Sequence, residues 1–177
     1  MFDRTIALIG QDNLDKIESK HILIIGVGGV GGYAIEALIR SGIHNITLVD
    51  YDNIDISNIN RQIIAKESNV GKLKVEAWKE RINEINSSVL VNTLPLKIDE
   101  NNIDILFKNS YDYIIDACDT VIVKKLLIKK CHEKNIKLII INLLLNLDLL
   151  KNLLILKKER LYRLSIFLYY FSQLLFL

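Results

Sequence analysis

The sequence has only two cysteines, Cys118 and Cys131, and no Cys-x-x-Cys pair. That spacing argues against a thiolate zinc site. Both thiols read as free, buried side chains in a reducing compartment. Charge of one sign is also missing. Lys and Arg number 23 against 21 Asp and Glu, a net charge of +2, so no strongly basic face announces a nucleic-acid partner. The opening stretch MFDRTIALIGQDNLDK carries early charges and no signal-peptide core, and the expected location is the cytoplasm. The last fourteen residues, LSIFLYYFSQLLFL, are uncharged but short of the roughly 20 needed to span a bilayer, so no membrane anchor is expected.

Half of the residues are apolar, enough for a sizeable core in a chain of about one domain. Residues 3–18 have helical apolar spacing, interrupted at Gly10. His21–Ile25 is a nearly continuous apolar run, the mark of a parallel strand buried on both faces. Further strands are expected at Asn45–Asp50, Val89–Pro95, Tyr113–Asp116 and Lys137–Ile141. Helices are expected at Tyr33–Arg40 (closed by Gly42), Lys72–Asn86, Asn101–Phe107 and Val121–Lys134. This alternation predicts an α/β fold with a doubly wound, mostly parallel sheet and helices on both faces. Ligands of such sheets sit at the C-terminal ends of the strands.

Five of the eight glycines fall in seven residues, GVGGVGG at 26–32, between the first strand and the first long helix. Gly26, Gly28 and Gly31 satisfy G-x-G-x-x-G. In that motif the first glycine makes the turn, the second lets a phosphate approach the backbone, and the third lets helix and strand pack closely. The helix N-terminus adds free N–H groups and a partial positive charge. Asp50, nineteen residues past Gly31 at the end of the second strand, is placed to accept ribose hydroxyls. The motif alone fits a dinucleotide or ATP.

The polar loop YDNIDISNINRQI and the following KESNVGKLKVE favour ATP over NAD. Attack on an α-phosphate builds negative charge on the transferring phosphorus and on pyrophosphate, and Arg61 and Lys74 can stabilise it, with Asn58 and Gln62 as uncharged donors. Magnesium would need a carboxylate, and Asp116 or Asp119 in IIDACDT is available at the end of the fourth strand. The helix VIVKKLLIKKCHEK offers Lys124, Lys125, Lys129, Lys130 and Lys134, read as a solvated face rather than a tRNA-facing patch. His44 and His132 read as surface residues without metal-ligand company.

GVGGVGG, LVDYD, SNINRQI, VGKLKVE and DACDT together resemble the ubiquitin-activating-type (ThiF/HesA/MoeB-like) adenylyltransferase family, whose fold is Rossmann-like. RTIALIG, SNINRQI and IIDACDTV resemble more narrowly its branch of tRNA threonylcarbamoyladenosine dehydratases. The resemblance covers about residues 4–141. It implies an ATP- and Mg2+-dependent enzyme. Gly29 would lie against the nucleotide, Asp50 would bind ribose with Asp52 in the same nucleotide-binding set, and Asn58, Arg61, Gln62 and Lys74 would serve the triphosphate. Arg61, Lys74 and Asp119 form the implied catalytic set, with Asp119 holding magnesium. Arg4 matches an arginine that reaches a neighbouring subunit's ATP, which implies a homodimer.

The implied reaction adenylates the carboxylate of threonylcarbamoyladenosine at position 37 of tRNA, after which the side chain cyclises with net loss of water. The alternatives are adenylation of a ubiquitin-like sulfur-carrier protein, an NAD(H) oxidoreductase, which Arg61, Lys74 and Asp119 disfavour, or a non-catalytic remnant. After Asn142 the sequence stops matching the family. Residues 143–177 hold fifteen leucines, no glycine and no proline. The expectation is therefore an ATP-binding domain over 1–142, then a Leu-rich aberrant tail over 143–177 from a frameshift or disrupted coding region, with the acceptor half missing.

Overall fold

The computed structural model describes residues 1–141. Residues 143–177, read above as an aberrant tail, lie outside the described residues. Chain order is α1 (Asp3–Ile9), α2 (Gln11–Glu18), β1 (His21–Ile25), α3 (Gly29–Arg40), β2 (Asn45–Val49), α4 (Lys74–Ile85), β3 (Leu90–Leu94), β4 (Tyr113–Asp116), α5 (Val121–Glu133) and β5 (Lys137–Ile140). Short 3-10 turns cover Ile56–Asn58, Glu67–Asn69 and Ile103–Lys108.

The strands form one five-stranded sheet in the order β3-β2-β1-β4-β5, parallel throughout. Because side chains alternate along a strand, β1 feeds two cores. Ile22 and Ile24 pack with Ile35, Ile39, Val75, Trp78 and Ile82 from α3 and α4. Leu23 and Ile25 pack with Ile103, Leu106, Val123 and Leu127 on the other face. Helices therefore cover both faces, as the unbroken apolar run of β1 requires. β1 to β3 grow toward one edge, and β4 and β5 lie on the other side of β1. The connections reverse between β1 and β4, so a crevice opens at the C-terminal ends of these two strands.

Three sequence expectations change. The helix over 3–18 is two helices, because Gly10 adopts φ +80° and breaks the ladder between them. α3 begins at Gly29 rather than Tyr33, so three of the loop's glycines, Gly29, Gly31 and Gly32, lie in its first four residues. The segment expected as a helix over Asn101–Phe107 is a 3-10 turn over Ile103–Lys108. α2 buries Leu14, whereas α1 buries no residue and leaves Leu8 exposed.

Candidate nucleotide-binding site

The glycines of 26–32 do different physical work. Gly26 has φ +84°, and a Cβ there would stand 2.8 Å from the backbone of Ala117 and Cys118. Gly31 is helical, yet its Cβ would lie 1.9 Å from the Gly26 carbonyl oxygen and 3.2 Å from the Ala117 Cβ. Gly32 abuts Trp78, with 2.8 Å from a Cβ to Cζ2. Gly28 and Gly29 are different. A Cβ on Gly28 would meet only the Gln62 side chain at 3.5 Å, and one on Gly29 only the Arg61 carbonyl at 3.4 Å. Three glycines thus make room for the protein itself, and two leave bare backbone facing the Arg61–Gln62 segment.

Hydrogen bonds hold the loop from both sides. Gly26 N–H donates to the Val49 carbonyl (2.9 Å), and Val27 N–H donates to Asp50 Oδ2 (2.9 Å). Asp50 Oδ1 accepts the Asp52 N–H (2.9 Å). Each oxygen of Asp50 then has a lone pair left for a further donor. Trp78 Nε1–H donates to the Val27 carbonyl at 3.0 Å from one turn inside α4. Trp78 and Gly32 were not anticipated as site residues, because nothing local in either stretch announces a partner 46 positions away.

The β2–α4 loop supplies the other groups. Asn58 is buried, and its Oδ1 accepts the Asp55 N–H (3.2 Å) within a capped turn. Arg61 is exposed, with Nη1 donating to the Ser57 carbonyl (2.8 Å) and Asn60 Oδ1 (2.9 Å). Gln62 is 7% exposed, and its Oε1 has no partner among the described residues. Lys74 opens α4 and is buried, not solvated as an isolated helix lysine would be, with Nζ 2.7 Å from Asp52 Oδ2.

Across the crevice, Ala117 N–H donates to the Ile25 carbonyl (2.8 Å), which brings the β4–α5 turn against the loop. The two aspartates of IIDACDT separate here. Asp116 is fully buried, its Oδ2 accepting from Lys124 Nζ (3.0 Å) and its Oδ1 from Cys118 N–H (3.1 Å). Both oxygens are engaged, so Asp116 is no open metal ligand, and Lys124 is no part of a solvated lysine face. Asp119 is exposed, in contact with the Thr120 hydroxyl at 3.4 Å. Among the described residues no group of three or more His, Cys, Asp or Glu could hold a metal. Magnesium bound with a nucleotide needs fewer, one or two carboxylates plus phosphates, and the exposed Asp119 carboxylate fits that use.

Arg4 is not brought to this site. It lies on α1 and lines a groove with Phe2, Thr5, Ile39, Arg40 and Ile85. Ile39 is ten residues along α3 from Gly29, roughly 15 Å at 1.5 Å per residue.

The thiols are not nucleophiles here. Cys131 is buried, while Cys118 is half-buried rather than fully so. Burial, reinforced by the Asp116 charge, pushes the Cys131 thiol up to about 12. Thiolate therefore forms only as pH climbs toward that value, and at pH 8 its fraction is roughly a thousandfold below that of an ordinary cysteine. Alkylation at pH 8, followed by peptide mapping, should modify Cys131 in unfolded chain and leave it intact in folded chain. Equal rates in the two states would contradict this placement. His132 is exposed as expected, but His44 is half-buried, with Nε2 3.3 Å from Asn86 Nδ2.

The family model described as the ThiF family matches residues 2–143. The chain belongs to the ThiF family. The tRNA threonylcarbamoyladenosine dehydratase of Bacillus subtilis (strain 168) is 42% identical over 138 residues, which are 78% of this chain and 54% of that protein. The dehydratase of the same name from Haemophilus influenzae is 43% identical over 134 residues, 76% of this chain and 51% of that one. The crystal structure of E. coli tRNA N6-threonylcarbamoyladenosine dehydratase in complex with ATP superimposes with a TM-score of 0.76 at 40% identity, covering 78% of this chain and 57% of that chain. This ThiF-family chain spans about half the length of the curated relatives it matches. No helix among the described residues is long and apolar enough to cross a membrane.

Proposed function

We propose that this chain binds ATP with Mg2+ in the β1/β4 crevice and adenylates a carboxylate, that of threonylcarbamoyladenosine in tRNA. The observation that carries the reading is the bare backbone of Gly28 and Gly29 facing Arg61–Gln62, beside an Asp50 that is anchored yet has lone pairs to spare. The ATP complex of a 40%-identical relative supports it.

In this reading Asp50 accepts the ribose hydroxyls and the N-terminus of α3 receives phosphate oxygens. Asn58 Oδ1 is already used, so its amide Nδ2 is the donor available to phosphate. Gln62 turns the amide toward the Gly28 backbone. Lys74, held by Asp52, gives a fixed positive charge at the start of α4. Arg61 swings from its Ser57 and Asn60 partners onto the phosphate oxygens, where negative charge develops as pyrophosphate departs. Asp119 would hold magnesium, which would screen the phosphate charge. The carboxylate oxygen forms its bond to the α-phosphorus as the bond to the bridging oxygen breaks and pyrophosphate leaves. A heteroatom of the carbamoyl group then bonds to the activated carbonyl carbon, a carbamoyl N–H proton passes to solvent, and AMP leaves as the ring closes. Arg4, on α1 beside Ile39 near the C-terminal end of α3, is too far from its own glycine loop to serve it, which supports a homodimer in which it reaches the neighbouring copy. Cytoplasmic location follows from a tRNA substrate.

Isotope exchange between pyrophosphate and ATP tests this. Exchange that depends on threonylcarbamoylated tRNA is the expected result. Exchange that instead requires a ubiquitin-like sulfur carrier replaces the proposed substrate by a protein C-terminus. ATP binding without exchange under either condition refutes the catalytic reading.

A further inference from the structure

Asp116 and Lys124 take no part in the chemistry above, yet they form the most deeply buried ion pair among the described residues, with side chains 0% and 4% exposed and 3.0 Å between Nζ and Oδ2. Asp116 ends β4 and Lys124 lies in the first turn of α5, so the pair clamps the turn Ala117–Thr120 between them. Each end of that turn is bonded again. Asp116 Oδ1 accepts the Cys118 N–H, the Asp116 carbonyl accepts the Ile141 N–H (2.8 Å), and Lys124 N–H donates to the Thr120 carbonyl (3.2 Å). The same turn presses on the nucleotide loop through Ala117 and Cys118 at Gly26 and through the Ala117 Cβ at Gly31.

A buried ion pair is a poor source of stability, because desolvating two charges offsets most of their attraction. What it does supply is geometry. Both charges must stay paired, so the backbone between them has one arrangement. Asp119 sits on that backbone, exposed and, among the described residues, in contact with the Thr120 hydroxyl at 3.4 Å.

We infer that Asp116 and Lys124 are positioning residues, a buried clamp that presents the Asp119 carboxylate at a fixed place beside the glycine loop. The inference rests on the reading of Asp119 as the magnesium ligand. It adds that the ligand's precision is set by a pair that touches neither metal nor nucleotide. Partners that orient a metal ligand typically change metal affinity about 10-fold or more when removed.

The test is calorimetry of ATP binding to the full chain, with and without Mg2+. In the unsubstituted chain Mg2+ tightens ATP binding, and Asp119→Ala removes that effect. The double variant Asp116→Leu/Lys124→Met removes both charges together, so neither is left buried without its counter-charge. It leaves the Cys118 N–H without its side-chain partner. It should hold magnesium-free ATP affinity within about threefold while requiring about 10-fold more Mg2+ for the same tightening. An unchanged Mg2+ requirement overturns the clamp and leaves the functional reading standing. Equal losses with and without Mg2+ also overturn it, since they show a structural role alone. No Mg2+ effect in the unsubstituted chain overturns the reading of Asp119 and the clamp together. Should that variant fail to fold, Asp116→Asn/Lys124→Met keeps an acceptor for the Cys118 N–H and still loses both charges. It should raise the Mg2+ requirement by about threefold, less than the loss expected when the partners are removed outright, and no rise refutes the clamp.

Discussion

A Gly31→Ala variant should be severely destabilised and lose ATP binding altogether. The new methyl would lie 1.9 Å from the Gly26 carbonyl oxygen and 3.0 Å from its carbon, both main-chain atoms with no rotamer to escape into. On its third side is the Ala117 Cβ, at the start of the β4–α5 turn. Loop, helix and turn must part to admit it. Overpacking of this kind costs about 1–3 kcal/mol where side chains can yield, and backbone yields less. At about 3 kcal/mol the melting temperature falls by roughly 10 °C in a chain of this size.

The companion variant separates folding from binding. Gly29→Ala meets only the Arg61 carbonyl at 3.4 Å and replaces a poor helix former in the first turn of α3. It should fold as well as the parent and bind ATP more weakly. Thermal melts and ATP titrations of the two variants check both statements, and normal ATP affinity in Gly29→Ala would falsify the phosphate role of this helix end.

Arg61→Ala should fold normally and slow ATP-dependent exchange by about 10²–10³. The side chain is exposed, and its two bonds run to Ser57 and Asn60 in its own loop, so stability should change by no more than about 0.5 kcal/mol. The loss should fall on the exchange rate more than on ATP affinity if the guanidinium meets charge that develops only as the phosphate transfers. Arg61→Lys should recover part of the rate, because an ammonium keeps the charge without the planar fork. An unchanged rate in Arg61→Ala would remove Arg61 from the chemistry.

Features written in contiguous residues were legible. The apolar run of β1, the glycine cluster and Asp50 at the end of β2 all occupy the places that their local pattern implies. Features that depend on distant partners were not. Lys74 looks like any surface lysine until Asp52 is found 2.7 Å away, 22 positions earlier. Lys124 sits in a run of lysines, and only the fold reveals that this one turns inward to Asp116. Gly32 gains its meaning from Trp78. In each case burial or a long-range contact outweighed local propensity.

The fit of Gly26 and Gly31 to Ala117 also bears on when the nucleotide site comes into being. Gly26 precedes Ala117 by 91 residues. At about 5–20 residues per second, a ribosome needs roughly 5–18 s to supply the second wall after it has made the first. β1, β2 and β3 can pair in that interval, and the glycine segment waits beside them with one flank open. On the proposed function, ATP affinity would therefore be a marker of chain maturation, acquired when β4 inserts beside β1. A nascent chain arrested before residue 117 should carry the whole glycine motif and still be unable to hold the nucleotide.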